Sequence, residues 1–330
     1  MVANNTAAAH TEPVRDTLSD LSTMVLVPGG RTRIGSDQSY PEERPVVDVD
    51  VPDMLWDPSP VTNAQFAVFV AETAHISVAE RPLTAAEFPD ADPDLLVPGS
   101  QVFTQPMGPV PLTDWTRWWR WQPGASWRHP QGPGSDWRDI PNHPVVHVGW
   151  EDATAFARWV GKQLPTEAEF EHAARGGLHN APYAWGHEFA PQVRPMANTW
   201  QGQFPWHSDD PDGHHRTSPV GSYPANGYGL FDMIGNVWEW TATPWTPDHR
   251  ALRARGTASS EQPSAPQHGH HPCCGGGGLR ETDRMVTKGG SHLCSPDYCR
   301  RYRPAARQGH GVRDTTSHVG FRCVMRSATD

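Results

Sequence analysis

The chain has 330 residues, of which 36% are hydrophobic and 19% charged, and it carries 34 prolines, 30 glycines and 15 tryptophans. That length can bury a substantial core, but a composition so poor in plain helix formers argues against a helical bundle or a parallel α/β layer. The 27 basic residues against 37 acidic ones give a formal charge of −10 with no long Lys/Arg run, which removes a phosphate-tracking nucleic-acid surface from consideration.

Residues 1–21 are polar and alanine-rich without periodicity and read as a disordered arm. They lack the basic and apolar regions of an export signal, and no apolar stretch is long enough to span a membrane, so the chain reads as cytoplasmic. Met24-Val25-Leu26-Val27 forms a short apolar run stopped by Pro28-Gly29-Gly30. Val47, Val49 and Val51 alternate with Asp48 and Asp50, as in a strand with one wet face. Phe66, Phe69 and Val70 have helical spacing between Ala64 and Ala74, with Asn63 placed to cap. Residues 81–141 read as one long excursion, in which Trp115, Trp118, Trp119, Trp121, Trp127 and Trp137 argue for packing rather than disorder.

His143 to Trp150 reads as a strand feeding a helix from Glu151 to about Val160. Thr166 and Glu169 make a capping box for the next helix, and Gly176-Gly177 ends it. Beyond residue 180, short apolar runs and glycine turns replace long helices. Residues 253–283 have low complexity and read as a mobile insertion, and 327–330 as a tail. No repeat or linker divides the remainder, so residues 22–326 are expected to form a single α+β domain with little regular secondary structure.

The five cysteines all lie in the last fifth of the chain. Cys294 and Cys299, five apart in the turn-rich segment GGSHLCSPDYCRRYR, can bring their sulfurs together as a local disulfide, as inert thiols or as two thiolates on a soft ion. Two thiolates without a third ligand nearby suit Cu(I) better than structural zinc, and Arg300, Arg301 and Arg303 favour thiolate forms. Asn198-Thr199-Trp200 with Asp209, Asp210, Asp212 and Gly213 offers oxygen donors for Ca²⁺ or a solvated acidic loop. Asp232 and Glu239 bracket a glycine turn. His143 and His147 lie in an extended segment, which does not place both on one face, and both read as structural. Cys273 and Cys274 sit among histidines and glycines with no rigid geometry.

Taken together, MVLVPGGRTRIGSD, VTNAQFAVFV, GASWRHPQGPGS, HPVVHVGWEDA, GKQLPTEAEFEHAARGGL, ANTWQGQFP, NGYGLFDMIGNVWEW, GGSHLCSPDYCRRYRPAAR and GFRC resemble, in this succession, the formylglycine-generating enzymes of the sulfatase-modifying factor family. The resemblance runs from about Met24 to Met325. It implies a C-type-lectin-like fold and a copper-dependent oxidase that converts the cysteine of a Cys-x-Pro-x-Arg motif in an unfolded sulfatase to Cα-formylglycine, with O₂ and a thiol reductant as cosubstrates. It places Cu(I) on Cys294 and Cys299, with Ser291 matching the serine beside the pair; Ser291 and Trp238 are read as shaping the pocket. It implies one calcium site from Asn198, Asp212 and the backbone of Thr199 and His214, and a second from Asp232, Gly235, Val237 and Glu239. His214 departs from an aromatic residue and Asp232 from Asn. Cys323 lacks the bridge partner of secreted members, since Ala174 stands there, which fits reduced thiols. The expected partner is the sulfatase or its peptide, met by a monomer without nucleic acid or membrane. The competing reading is a noncatalytic, Ca²⁺-stabilised lectin-like module that binds peptide or glycan.

Overall fold

Strand β1 (Val25–Val27) is the first regular strand and turns at Pro28-Gly29, where the Gly29 N–H donates to the Asp53 carboxylate at 2.6 Å. The computed structural model describes residues 20–250 and 284–326, apart from 86–89 and 91, together with Leu18. The expected N-terminal arm save Leu18, Asp20 and Leu21, the 253–283 insertion with Cys273 and Cys274, and the 327–330 tail lie outside the described residues.

The chain continues through β2 (Gly30–Ile34), β3 (Val47–Val51) and β4 (Met54–Trp56). In β3, Val47 and Val51 are buried and Asp48 and Asp50 exposed, so the alternation reports the strand correctly. Helix α1 (Asn63–Thr73) begins one residue before the sequence expectation, and its cap is Thr62 rather than Asn63. Thr62 has the extended backbone a cap requires and exchanges hydrogen bonds with Gln65, whereas the buried Asn63 side chain donates to the Ile140 carbonyl at 2.9 Å.

The excursion between 81 and 141 contains an antiparallel pair, β5 (Gly99–Phe103) with β6 (Trp119–Pro123). Its tryptophans divide: Trp118 and Trp127 are fully buried, while Trp115 is exposed. The expected strand over His143–Trp150 does not form. Val145 donates to Val61, His147 to Thr316 and Trp150 to Val312, so the segment is stitched to separate partners instead of one ladder, and His147 is left-handed at φ 60°. Its alternating valines report burial, not pairing.

Helix α2 (Trp150–Trp159) starts where Asp152 accepts from the Gly149 N–H. Helix α3 (Glu167–Ala174) carries the expected Thr166–Glu169 capping box. Beyond it, among the described residues, lie one 3-10 turn (Pro191–Val193) and the strands β7 (Gly202–Gln203), β8 (His207–Ser208), β9 (Trp238–Pro244), β10 (Arg284–Lys288), β11 (Arg307–Gly311), β12 (Val319–Gly320) and β13 (Val324–Arg326). β7 and β8 pair with each other, and the others join two larger sheets: a three-stranded sheet in the order β1-β4-β13, and a four-stranded sheet in the order β11-β10-β9-β12, in which β12 runs parallel to β9.

The main core gathers Trp56, Phe66, Phe156, Phe170, Trp150, Trp238, Trp240 and Phe321 from these elements. A second cluster packs Phe103, Trp118, Trp200, Phe204 and Leu293. Among the described residues no helix is long and apolar enough to cross a membrane.

Candidate active site

The antiparallel neighbours β10 and β11 are joined by residues 289–306, which carry both central cysteines. Two anchors hold this loop. At its base, Lys288 on β10 and Arg307 on β11 reach the fully buried carboxylates of α3: Lys288 bonds Glu171 at 2.9 Å, and Arg307 grips Glu167 at 2.6 and 3.1 Å. Burial alone would push the Glu167 carboxyl up, but Arg307, His249 and Lys288 hold it well below the usual carboxylate range. At its crown, the Gly290 backbone lies against Arg301, with Gly290 left-handed at φ 75°.

Cys294 and Cys299 meet with their sulfurs 3.5 Å apart, both as free thiols. The pair is asymmetric. Cys294 is 1% exposed, its backbone N–H donates to the Ser291 carbonyl and its sulfur receives the Ser291 N–H at 3.4 Å. Cys299 is half-buried, with the Arg301 guanidinium 3.7 Å from its sulfur. Burial and the neighbouring Cys299 push the Cys294 thiol well up, whereas the hydrogen bond from Cys294, aided by Arg301, brings Cys299 down to about 6. The two sulfurs share one hydrogen bond, with Cys299 the more acidic of the pair.

Of the three arginines expected to favour thiolates, only Arg301 has a hydrogen bond to a cysteine sulfur. The Arg303 guanidinium is held by Glu43 at 2.6 and 2.9 Å, and Arg300 Nε donates to the Pro296 carbonyl. Arg301 is itself held: Glu42 accepts from its other terminal nitrogen at 2.6 Å, and the Tyr40 ring lies 4.0 Å beneath it. Nothing local in the sequence signals Tyr40 or Glu42. Beside Cys299, Tyr298 stacks on Phe204 with centroids 4.8 Å apart and meets the edge of Trp118 at 5.4 Å. Tyr298 is the exposed face of the second aromatic cluster.

Ser291 lies at the pair, as expected. Trp238 is 2% exposed within β9, its backbone N–H donating to the His318 carbonyl, and offers no open surface. His292 is turned onto the Asn236 carbonyl at 2.9 Å and burial lowers it to about 4. The neutral, buried His147 bonds Ser100 and Pro130, and His143 bonds Thr217, consistent with structural roles. The donor set at the loop is therefore two soft sulfurs, which fits a monovalent soft ion.

The two expected calcium stretches are neighbours. Asn236 donates to the Asn198 carbonyl at 2.8 Å, and a side chain at Gly235 would strike that same carbonyl. Asp232 Oδ1 is buried without a hydrogen-bond partner, and burial raises its carboxyl. Glu239 is fully buried and bound by Arg322 at 2.7 and 2.8 Å, although each of its oxygens keeps a second acceptor position. Tyr223, unmarked in the sequence reading, donates to Asp212, while Thr199 accepts from Gln201 and the His214 N–H approaches Asp212 at 3.5 Å. Asp209 and Asp210 pair with His207 and His215. Among the described residues no group of three or more His, Cys, Asp and Glu converges as a metal cluster.

This architecture, few helices and many small sheets, is that of the solved structure of PvdO from Pseudomonas aeruginosa, with a TM-score of 0.58 at 22% identity over 92% of this chain and 94% of that one. The chain belongs to the family described as sulfatase-modifying factor enzyme 1-like, whose domain matches residues 9–327. It is 50% identical over 308 residues to the formylglycine-generating enzyme of Mycobacterium tuberculosis, covering 92% of this chain and 98% of that protein. It is also 42% identical over 304 residues to a Bos taurus protein named inactive Cα-formylglycine-generating enzyme 2, covering 91% and 87%. Overall similarity is thus shared with active and inactive relatives alike, which leaves the decision to the cysteine loop.

Proposed function

We propose that this enzyme converts the cysteine of a Cys-x-Pro-x-Arg segment in an unfolded sulfatase to Cα-formylglycine, using Cu(I) held by Cys294 and Cys299, O₂ as oxidant and a thiol as reductant. The observation that carries this reading is the pair of free thiols 3.5 Å apart, one sealed and one facing outward. Bound Cu(I) would supply a seat for the substrate thiolate and electron exchange with O₂.

The chain's own residues do the rest. Cys294, fixed by the Ser291 N–H, is the buried anchor, and Cys299 is the ligand on the side from which a peptide arrives. Tyr298 and Phe204 give that approach an apolar wall that excludes water. A cavity of about 430 Å³ is lined by Thr104, Met107, Val110, Asp114, Arg117 and Arg120, with the Thr104 N–H bonded to the Trp118 carbonyl, and we assign it the flanking substrate residues. Asp232 and Asn198 would hold structural Ca²⁺ where the two turns meet. The unbridged Cys323, buried like Ala174, supports a reducing, cytoplasmic setting. We read the working unit as a monomer whose partner is the unfolded sulfatase, with no nucleic acid or membrane.

The test is mass spectrometry of a Cys-x-Pro-x-Arg peptide incubated with copper-loaded protein and a thiol reductant. Aldehyde should form with the native chain and be abolished by Cys294→Ala or Cys299→Ser. Substantial turnover by either variant sinks the assignment, and peptide binding without conversion by the native chain favours the noncatalytic module.

A further inference from the structure

A Cu(I) ion on two thiolates leaves a net negative centre, and a substrate thiolate would add a further negative charge. Such a centre within a mostly buried loop needs a counter-charge close by. Among the described residues, Arg301 is the cation that hydrogen-bonds a cysteine sulfur. Arg301 Nη1 lies 3.7 Å from the Cys299 sulfur, and Arg301 Nε is buried without a hydrogen-bond partner. The neighbouring arginines are engaged elsewhere, Arg303 by Glu43 and Arg300 Nε by the Pro296 carbonyl.

Arg301 does not hang free. Glu42 takes Nη2 at 2.6 Å, and the Tyr40 ring supports the guanidinium plane from 4.0 Å. Sulfur and carboxylate thus bind different branches of one rigid fork, so the ion pair turns its positive side toward the cysteines. Arg301 is three-quarters buried, with a side-chain exposure of 23%, which limits the screening of this charge by solvent and salt.

We propose that Arg301, aimed by Glu42 and Tyr40, is a positioning residue that stabilises the anionic two-thiolate Cu(I) centre and so sets the copper affinity of the enzyme. This inference rests on the copper reading above. It makes an unusual pair of predictions, because Arg301 and Glu42 are partners in one ion pair yet carry opposite charges next to the site. A purely structural pair loses function in the same direction whichever partner is removed. A charge-setting pair does not.

The experiment is Cu(I) affinity measured by competition with a chromophoric Cu(I) chelator, with thermal unfolding of each variant as the folding check. Arg301→Gln should weaken Cu(I) binding by about 10–100-fold, the range typical of groups that support a metal ligand from behind. Arg301→Lys should recover most of that loss, while Glu42→Gln should bind as tightly as the native chain or more tightly. The inference is overturned if Arg301→Gln binds like the native chain, if Arg301→Lys is no better than Arg301→Gln, or if Glu42→Gln weakens binding as Arg301→Gln does. If the native chain takes up no Cu(I), or Cys294→Ala binds it equally well, the copper reading itself fails and this inference falls with it. Normal native uptake with indifferent Arg301 variants defeats the inference alone.

Discussion

Gly290 and Arg301 touch backbone to backbone: a β-carbon at Gly290 would lie 2.5 Å from the Arg301 carbonyl oxygen, and Gly290 is left-handed besides. Gly290→Ala therefore meets both a clash and a disfavoured backbone, a combined cost of at least about 1–3 kcal/mol. Because Arg301 lies at the far side of the same contact, the expected outcome is a lower unfolding midpoint together with weakened Cu(I) uptake. A variant that unfolds like the native chain, followed calorimetrically, would contradict the close approach.

The two thiols should differ sharply as nucleophiles in metal-free protein. Cys299 is brought to about 6 by its hydrogen bond from Cys294 and by Arg301, and thiolate is the reactive form. Its alkylation rate by iodoacetamide should rise with pH through about 6 and be nearly level by neutrality, where an ordinary thiol is still climbing. Cys294, pushed up and sealed, should remain unmodified over the same range. Peptide mapping of the labelled protein checks both statements.

The base of the cysteine loop depends on charge with no access to water. Arg307 and Glu167 are both 0% exposed, so Arg307→Ala leaves a buried carboxylate without its main partner and should destabilise the fold by about 3–5 kcal/mol in urea unfolding. The pH behaviour follows from the lowered Glu167 value. A carboxyl held lower in the fold than in the open chain adds stability above its unfolded value, and that contribution is lost as pH falls through the lowered folded one. Native stability should thus decline in acid more steeply than that of Glu167→Gln.

Asp232 is expected to respond to calcium. Its unpartnered buried oxygen costs stability in metal-free protein, so Asp232→Asn should raise the unfolding midpoint measured in chelator, an effect of about 1 kcal/mol. Added Ca²⁺ should raise the native midpoint in proportion to the logarithm of its concentration and raise that of the variant less. Equal calcium responses would remove Asp232 from the ligand set.

What the sequence makes legible is what neighbours in the chain decide. The sulfurs of Cys294 and Cys299 are five residues apart in a turn, and Thr166 and Glu169 complete a cap within one helical turn, so both are readable locally. Asn63 and Thr62 are both competent caps, and only the distant Ile140 carbonyl decides between them. The β5–β6 pair hid because its tryptophans and flanking prolines look like loop. Glu42 is 259 residues from Arg301, and no pattern around either predicts their meeting. The extended His143–Trp150 segment misleads because alternating valines record which side is dry, not which strand lies alongside.

Trp56 is flanked on one side by Val25 and on the other by Val324, so β4 takes one neighbour from near each end of the described chain. The ribosome therefore delivers β1 and β4 long before β13, which begins 268 residues after Trp56 (324 − 56). Arg326, the last residue of β13, then clamps Glu169 at 2.6 and 2.9 Å, and Glu169 caps the helix whose Glu167 and Glu171 hold both ends of the cysteine loop. During synthesis Cys294 and Cys299 emerge late and reach their final setting only when β13 docks, so a truncated chain ending before residue 324 should carry both cysteines and lack the framework that makes them a pair.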